Sequence, residues 1–223
     1  MLAKELLNID FTPLSPSSPV SAALAKMDAW QSSSIPVVEP ATRKNAGHIL
    51  FEDIAEVTDE ATPVSEVELR KPVYTFENQH IFEVARLMLQ HEVRLLSVVD
   101  NSETYLGIIE KKKVLEALSK MLNIANEGSV ITIEMSESDF TLAELVHLVE
   151  VEGVKILGLT VEHVAKNEKS MIQISLKLNQ QDASAVTSSL RRHGYTTTTE
   201  NKQDLFQMDI SSRADELMRY LDV

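Results

Sequence analysis

Cysteine is missing from this sequence, and glycine is scarce. The absence of cysteine from all 223 residues excludes disulfides, thiolate nucleophiles and zinc–thiolate sites. With only 6 glycines, the chain contains no Gly-x-Ser-x-Gly, P-loop or Gly-x-Gly-x-x-Gly motif. No apolar run approaches the ~18 residues that span a bilayer, and charged residues interrupt Met1–Leu7, unlike the start of a signal peptide. We therefore expect a soluble, cytoplasmic protein.

Basic residues are also few in comparison with acidic ones. The chain has 21 Lys and Arg against 34 Asp and Glu, for a formal net charge of −13. A field of this sign repels polyanions, so we expect no binding to nucleic acid or to an anionic membrane. A single nucleotide is compatible with this charge, because salt screens charges beyond about 8–10 Å and local donors then dominate.

The histidines form no metal-binding or catalytic pattern. None of the 6 has the His-x-x-x-His spacing of a metal site. The sequence offers no recognisable set of nucleophile, base and orienting group. We therefore predict no metal site, no catalytic residues and no enzymatic activity.

Two segments of the first half repeat the same pattern. Each segment is predicted to form a helix, a strand, a loop, a second strand and a second helix. Equivalent residues are 61 positions apart before the loop and 60 after it, as in the pairs Val20 and Ile81, Met27 and Met88, Val38 and Val99, and Gly47 and Gly107. Such a regular offset indicates an internal duplication.

Neither repeat is expected to be stable alone. A segment of about 60 residues has a marginal core, and each repeat would leave a face of its sheet exposed to water. Pairing the repeats buries both faces. We therefore predict one paired module over residues 1–122, with repeats at about 1–60 and 61–122.

The second half has a different pattern. Asparagine and glycine in 123–129 suggest a linker, and residues 129–200 are predicted to run strand, helix, strand, strand, helix, strand. This βαββαβ order implies a ferredoxin-like fold, so the chain is predicted to be α+β. A tail over 201–223 is predicted to end in a helix whose apolar stripe comprises Ala214, Leu217, Met218 and Leu221.

The repeat pattern resembles a pair of cystathionine-β-synthase-type (CBS) repeats. An apolar-Pro-Val-Val-acidic strand, Ile35–Glu39, is followed by a Gly-apolar-apolar strand and a helix. The second half resembles an ACT domain, and Met1–Leu7 with Asp215–Leu221 resemble the AcuB-type acetoin-utilisation group. The resemblance implies a non-catalytic regulatory homodimer that acts on an unidentified protein and needs no cofactor. It also implies a ligand between the repeats, with AMP, ADP, ATP and S-adenosylmethionine as candidates.

The resemblance implies ligand-binding residues in the first repeat. In CBS pairs the pattern Gly-apolar-apolar-Ser/Thr-x-x-Asp supplies a hydroxyl for phosphate and a carboxylate for the ribose hydroxyls. Asp53 matches the carboxylate position, whereas Leu50 stands where the pattern has Ser or Thr. Ile35 and Pro36 are expected to contact the adenine base of the ligand. The alternative is that Asp53 is an acidic residue favoured by the dipole of the first helical turn.

The second repeat departs further from this pattern. Glu110 stands at the hydroxyl position and Lys113 at the acidic position, where it cannot accept a hydrogen bond from ribose. The predicted second helix of this repeat starts with three lysines, Lys111, Lys112 and Lys113. A nearby anion would be favourable at this helix start. Arg94 is expected to reach the same cleft. The alternative is a solvated basic corner.

Two other functions remain open. Amino-acid-binding ACT domains carry an Asp-x-Pro-Gly-like turn after the first strand, and here only Asp139 of Ser138–Thr141 matches it. Amino-acid sensing through this domain is therefore one alternative. A protein-interaction scaffold without a small ligand is the other, favoured by Leu50, Glu110 and Lys113.

Overall fold

The computed structural model of the chain describes residues 1–166 and 169–199 and has a mixed α+β architecture. The chain divides into two compact units, Met1–Leu118 and Ser119–Val223. Within the described ranges, no helix has the length and apolar character that crossing a membrane requires.

The first unit contains both predicted repeats. The first repeat comprises α1 (Val20–Ala29), β1 (Ser34–Val38), β2 (Asn45–Leu50) and the short α2 (Phe51–Ile54). The second comprises β3 (Tyr74–Phe76), α3 (Ile81–Gln90), β4 (Leu95–Val99), β5 (Tyr105–Glu110) and α4 (Lys111–Met121). The elements shared by the two repeats begin 61 or 60 positions apart, as the sequence predicts.

Strand pairing in the repeats is also equivalent. The pairs β1–β2 and β4–β5 are antiparallel, and each has an irregularity at the same place, between Val37 and Val38 and between Val98 and Val99. In the second repeat β3 pairs in parallel with β4. Its counterpart in the first repeat is reduced to a single parallel bridge between Leu14 and Val37.

The core of the first unit is shared by its two repeats. The cluster built mainly from the first repeat also contains Leu95, Tyr105 and Ile108 of the second. The cluster built from the second repeat contains Ala3, from the start of the chain. Each repeat therefore completes the hydrophobic core of the other, which a single repeat could not bury.

In the described part of the second unit, four strands form one sheet. Its elements are β6 (Val130–Ser136), α5 (Leu142–Val151), β7 (Ile156–Lys166), β8 (Lys169–Leu178), α6 (Ser184–Arg192) and β9 (Thr196–Thr199). The strands lie in the order β7-β8-β6-β9, and all neighbouring strands are antiparallel. Alternate residues such as Ile131 and Ile174 join Leu145 and Leu190 of the helices in one core.

The boundaries differ from the prediction in two places. The division between the units falls at Leu118 and Ser119, within α4, rather than after residue 122. The apolar pattern of the sequence predicts a strand over 154–164, and the observed strand starts at Ile156 and continues to Lys166. The predicted C-terminal helix and the rest of 200–223 lie outside the described residues.

We predict that truncating Leu96 destabilises the whole first unit. Leu96 is 0% exposed in the second-repeat cluster, so Leu96→Ala should cost about 2–5 kcal/mol. Trp30, the single tryptophan, packs against the first-repeat cluster, so urea unfolding followed by its fluorescence should shift to lower urea. Leu89→Ala, at a 65% exposed residue, is the control. An unchanged Trp30 transition in Leu96→Ala would contradict a shared core.

Candidate functional site

A cleft of about 610 Å³ lies between the end of β2, the linker before β3, and α3. We call it the linker cleft; its lining residues are His48, Leu50, Arg70, Lys71, Pro72, Val73, Tyr74, Leu87 and His91. Four of these nine residues are Arg, Lys or His. The linker cleft is therefore rich in basic side chains although the chain carries a net charge of −13.

Backbone pairing fixes the wall that the linker forms. The Arg70 amide donates to the His48 carbonyl at 2.9 Å, and the His48 amide donates to the Arg70 carbonyl at 3.2 Å. Gly47 allows this approach, since a Cβ on it would lie 2.5 Å from the Arg70 carbonyl oxygen. The side chain of Arg70 is thereby held close to the start of α2.

Asp53, the predicted ribose acceptor, is bound by Arg70. The guanidinium donates from Nη2 to Oδ1 at 2.7 Å and from Nε to Oδ2 at 3.2 Å, and Nη2 also donates to Glu52 at 3.3 Å. The Leu50 amide donates to Asp53 Oδ2 at 3.4 Å. The hydrogen bonds from Arg70 lower the pKa of Asp53 below its ordinary value. A ribose at this position would have to share Asp53 with Arg70 or displace it.

His48 contributes a polar atom with an unmet hydrogen bond. Within the described residues, its buried Nδ1 has no hydrogen-bond partner. Burial lowers the pKa of His48 below its ordinary value of 6.5, and the nearby charges of His91 and Arg70 lower it further. These surroundings therefore favour a neutral imidazole.

A small polar cavity adjoins His48 on its buried side. Its volume is about 10 Å³, and its lining residues are Ser34, Pro36, Asn45, His48, Val73, Val93, Leu95 and Ser97. The cavity has room for about one water molecule. The hydroxyl of Ser97, a residue 1% exposed, has no partner within the described part of the chain.

The two residues predicted to contact the base lie in different places. Pro36 lines the small cavity and so lies near the linker cleft. Ile35 is 0% exposed in the core.

The site residues predicted in the second repeat lie elsewhere. Arg94 and Glu110 line a separate groove of about 570 Å³, together with Trp30, Lys111 and Lys112. Lys113 is not among the residues lining that groove, and its Nζ pairs with Glu116 at 3.1 Å. The structure therefore places Leu50 in the lining of the linker cleft, and Asp53 is not in that lining but is bound to Arg70, which is. Arg94 and Glu110 line another groove.

The positions equivalent to three lining residues of the linker cleft carry different side chains in the other repeat. Phe11, Lys26 and Trp30 there correspond to Pro72, Leu87 and His91. The rings of Phe11 and Trp30 pack edge to face with centroids 5.0 Å apart, and Lys26 Nζ lies 5.5 Å from the Phe11 ring. Two aromatic rings in contact thus stand where the linker cleft has Pro72 and His91.

Sequence reasoning missed the basic residues of the linker cleft. Arg70, Lys71 and His48 lie outside the Ser/Thr-x-x-Asp pattern, and His91 follows a helix end. A usable signal is present, because Arg70-Lys71-Pro72 places two cations beside a proline just before a strand.

The arrangement is suited to binding. Guanidinium, ammonium and imidazole groups can hold an anion, and the Tyr74 ring and Pro72 offer an apolar wall. Across residues 1–166 and 169–199, no three His, Asp or Glu side chains gather where they could hold a metal ion.

Comparison with known proteins agrees with the repeat structure. The CBS domain profile matches residues 64–120, the second repeat. Inosine-5′-monophosphate dehydrogenase of Methanocaldococcus jannaschii is 28% identical over 114 residues, which are 51% of this chain and 23% of that enzyme. A crystal structure of a CBS domain pair/ACT domain protein from Thermotoga maritima is 26% identical, with a TM-score of 0.49, over 55% of this chain and 99% of that one.

The CBS domain-containing protein YhcV of Bacillus subtilis shares more sequence. It is 31% identical over 134 residues, which make up 58% of this chain. The match covers 91% of YhcV, and its 134 residues are more than a single repeat of about 60 residues could supply. With its duplicated helix–strand–strand–helix core, the chain belongs to the CBS domain-containing proteins.

Proposed function

We propose that this protein is a non-catalytic regulator that binds an adenine nucleotide in the linker cleft. CBS domain pairs are regulatory modules that bind adenosyl ligands. The observation that carries the proposal is the set of basic side chains His48, Arg70, Lys71 and His91 around one cleft. The volume of about 610 Å³ lies within the usual range of ligand sites, about 300–1,000 Å³.

The charge of the linker cleft favours a phosphate-bearing ligand. Arg70 and Lys71 can donate charge-assisted hydrogen bonds to phosphate oxygens, and Tyr74 and Pro72 can contact the base or sugar. S-adenosylmethionine carries a sulfonium cation in place of phosphate, so the same groups disfavour it. AMP, ADP and ATP are therefore the preferred candidates.

Arg70 would also take the place of the Ser or Thr hydroxyl that the family pattern uses to bind phosphate. Leu50 cannot bond to phosphate, but the Arg70 guanidinium can turn from Asp53 to a phosphate because 48% of its side chain is exposed. Asp53 would then accept from the ribose hydroxyls. The Arg70–Asp53 ion pair would thus hold both ligand-binding groups next to each other before a ligand binds.

The second unit is proposed to be a ferredoxin-like, ACT-type domain over about 129–200, following a CBS pair over 1–122. The element order β6-α5-β7-β8-α6-β9 supports it. We propose a cytoplasmic homodimer that regulates another protein. Membership of the AcuB-type group is a proposal that rests on the two chain ends, of which the C-terminal one lies outside the described residues.

We predict that Arg70→Gln selectively weakens the binding of AMP. Removing a charge-assisted contact to phosphate should lower the affinity for AMP by about 10-fold or more. Adenosine has no phosphate and should bind the variant at least as well as the wild type, because Arg70 no longer competes for Asp53. Isothermal titration calorimetry with both ligands measures this. Arg86→Gln, which removes an exposed guanidinium paired with Glu83 on α3, is the matched control.

We predict that Asp53→Ala lowers the affinity for both AMP and adenosine by about 10-fold or more, because the ribose hydroxyls lose their acceptor. An unchanged affinity would remove Asp53 from the site. The absence of any thermal shift with millimolar AMP, ADP or ATP would contradict nucleotide binding and favour a ligand-free scaffold.

We predict that the ligand-free protein loses stability as pH falls below about 6.5, partly through His48. The pKa of His48 is lowered in the folded state by burial, so near its ordinary value the unfolded chain binds more protons and acid favours unfolding. Melting temperatures at pH 7.5 and 5.5 should differ less in His48→Gln than in the wild type. His147→Gln, at an exposed histidine, is the control; equal pH dependence in the His48 variant and the wild type would contradict the prediction.

A further inference from the structure

His48 lies where the linker cleft meets the small polar cavity. It and Val73 are the two residues that line both spaces. Paired hydrogen bonds with Arg70 hold its backbone, so the fold sets the position of the imidazole. The residue is half-buried, and its Nδ1 is shielded from water. A ligand in the cleft would therefore lie beside a titratable ring whose place is fixed in advance.

Basic groups face His48 from two other elements of the cleft. Arg70 and Lys71 belong to the linker, and His91 follows the end of α3. Tyr74 of β3 also lines the cleft, and its hydroxyl is uncharged at neutral pH. No Asp or Glu is among the nine lining residues. A proton on His48 would therefore add positive charge to a cluster that is already positive.

Asp53 of α2 is the acidic group whose charge favours a proton on His48. The Arg70 guanidinium binds its carboxylate at 2.7 Å and 3.2 Å, so the charge of Arg70 balances most of that of Asp53. Burial opposes the charged imidazolium because it removes water from the ring. Burial and the charges of His91 and Arg70 together lower the pKa of His48. Without a ligand, His48 is therefore neutral at neutral pH.

A phosphate in the cleft would reverse this balance. A phosphate monoester carries close to two negative charges at neutral pH, and an anion within about 4–6 Å favours the protonated form of a histidine. The imidazolium carries an N–H on each ring nitrogen. On the side of the small cavity, the Ser97 hydroxyl, which has no partner among the described residues, can accept directly or through one water molecule. The cleft and the cavity together can therefore accommodate a protonated His48.

We propose that binding of a nucleotide phosphate in the linker cleft is coupled to protonation of His48, so that the affinity for AMP rises as the pH falls from about 8.0 to about 6.5. The inference rests on the proposed nucleotide site and adds regulation by pH to it. A ligand that favours the protonated form binds more tightly as acid supplies the proton, and by the same linkage the ligand promotes protonation. The site would then respond to nucleotide and proton together.

Titration of the full-length chain with AMP at two pH values tests the coupling. The wild type should bind AMP about 3-fold or more tightly at pH 6.5 than at pH 8.0, because His48 takes up a proton in the complex. The phosphate of AMP gains its own proton near pH 6. That proton removes negative charge from the ligand and would weaken binding, so tighter binding at pH 6.5 cannot come from AMP.

Two variants and a second ligand assign the effect to His48 and phosphate. His48→Gln cannot take up the proton and should bind AMP no more tightly at pH 6.5 than at pH 8.0. His147→Gln removes an exposed histidine of the second unit and should keep the tightening of the wild type. Adenosine, which has no phosphate, should bind the wild type equally at both pH values. Tightening that persists in folded His48→Gln, or that adenosine shows equally, would overturn the proposal; circular dichroism checks the fold.

Counting protons gives a second test that needs no variant. Calorimetric titration of the wild type with AMP near pH 7, in two phosphate-free buffers of different ionisation enthalpy, measures the protons exchanged on binding. We expect net proton uptake with AMP and none with adenosine. Binding of AMP with equal affinity at both pH values and without proton uptake would overturn the coupling alone. The absence of AMP binding at either pH would overturn the proposed nucleotide site as well.

Discussion

The shared hydrophobic core of the two CBS repeats is the constraint on which the rest of the first unit depends. Ile108, Tyr105 and Leu95 of the second repeat are buried within the cluster of the first, so neither repeat can lose its partner without exposing apolar surface. The linker between the repeats runs beside β2, where the backbone of Arg70 pairs with that of His48. The close approach at Gly47 follows from that path, and it brings Arg70 beside Asp53.

Once the backbone is duplicated, side chains alone decide what each half can do. Pro72 and His91 line the linker cleft, whereas Phe11 and Trp30, at the equivalent places, pack against each other. Charge diverges in the same way, with Lys112 in one groove where the first repeat has Glu52 in another. A duplicated scaffold thus offers one proposed ligand site.

Local charge matters more here than the net charge of −13. Screening limits the reach of distant acids to about a Debye length, roughly 8 Å, while Arg70, Lys71 and His48 lie at the linker cleft itself. The Arg70–Asp53 pair is half exposed on the arginine side, so it contributes little to folding. A contact of this kind can be exchanged for a ligand without unfolding the surrounding structure, which suits a regulatory site.

The sequence by itself determined the duplication, the order of elements in both units and the family, because hydrophobic periodicity and a constant offset of 61 or 60 residues are local properties of the chain. It also drew attention to Leu50 and Asp53 through a motif four residues long. It did not reveal that Arg70 binds Asp53, that Ile35 is wholly buried, or that Arg94 and Glu110 line a different groove from Leu50. Those facts depend on which residues far apart in the chain become neighbours, and only the pairing of the repeats and the path of the linker decided that.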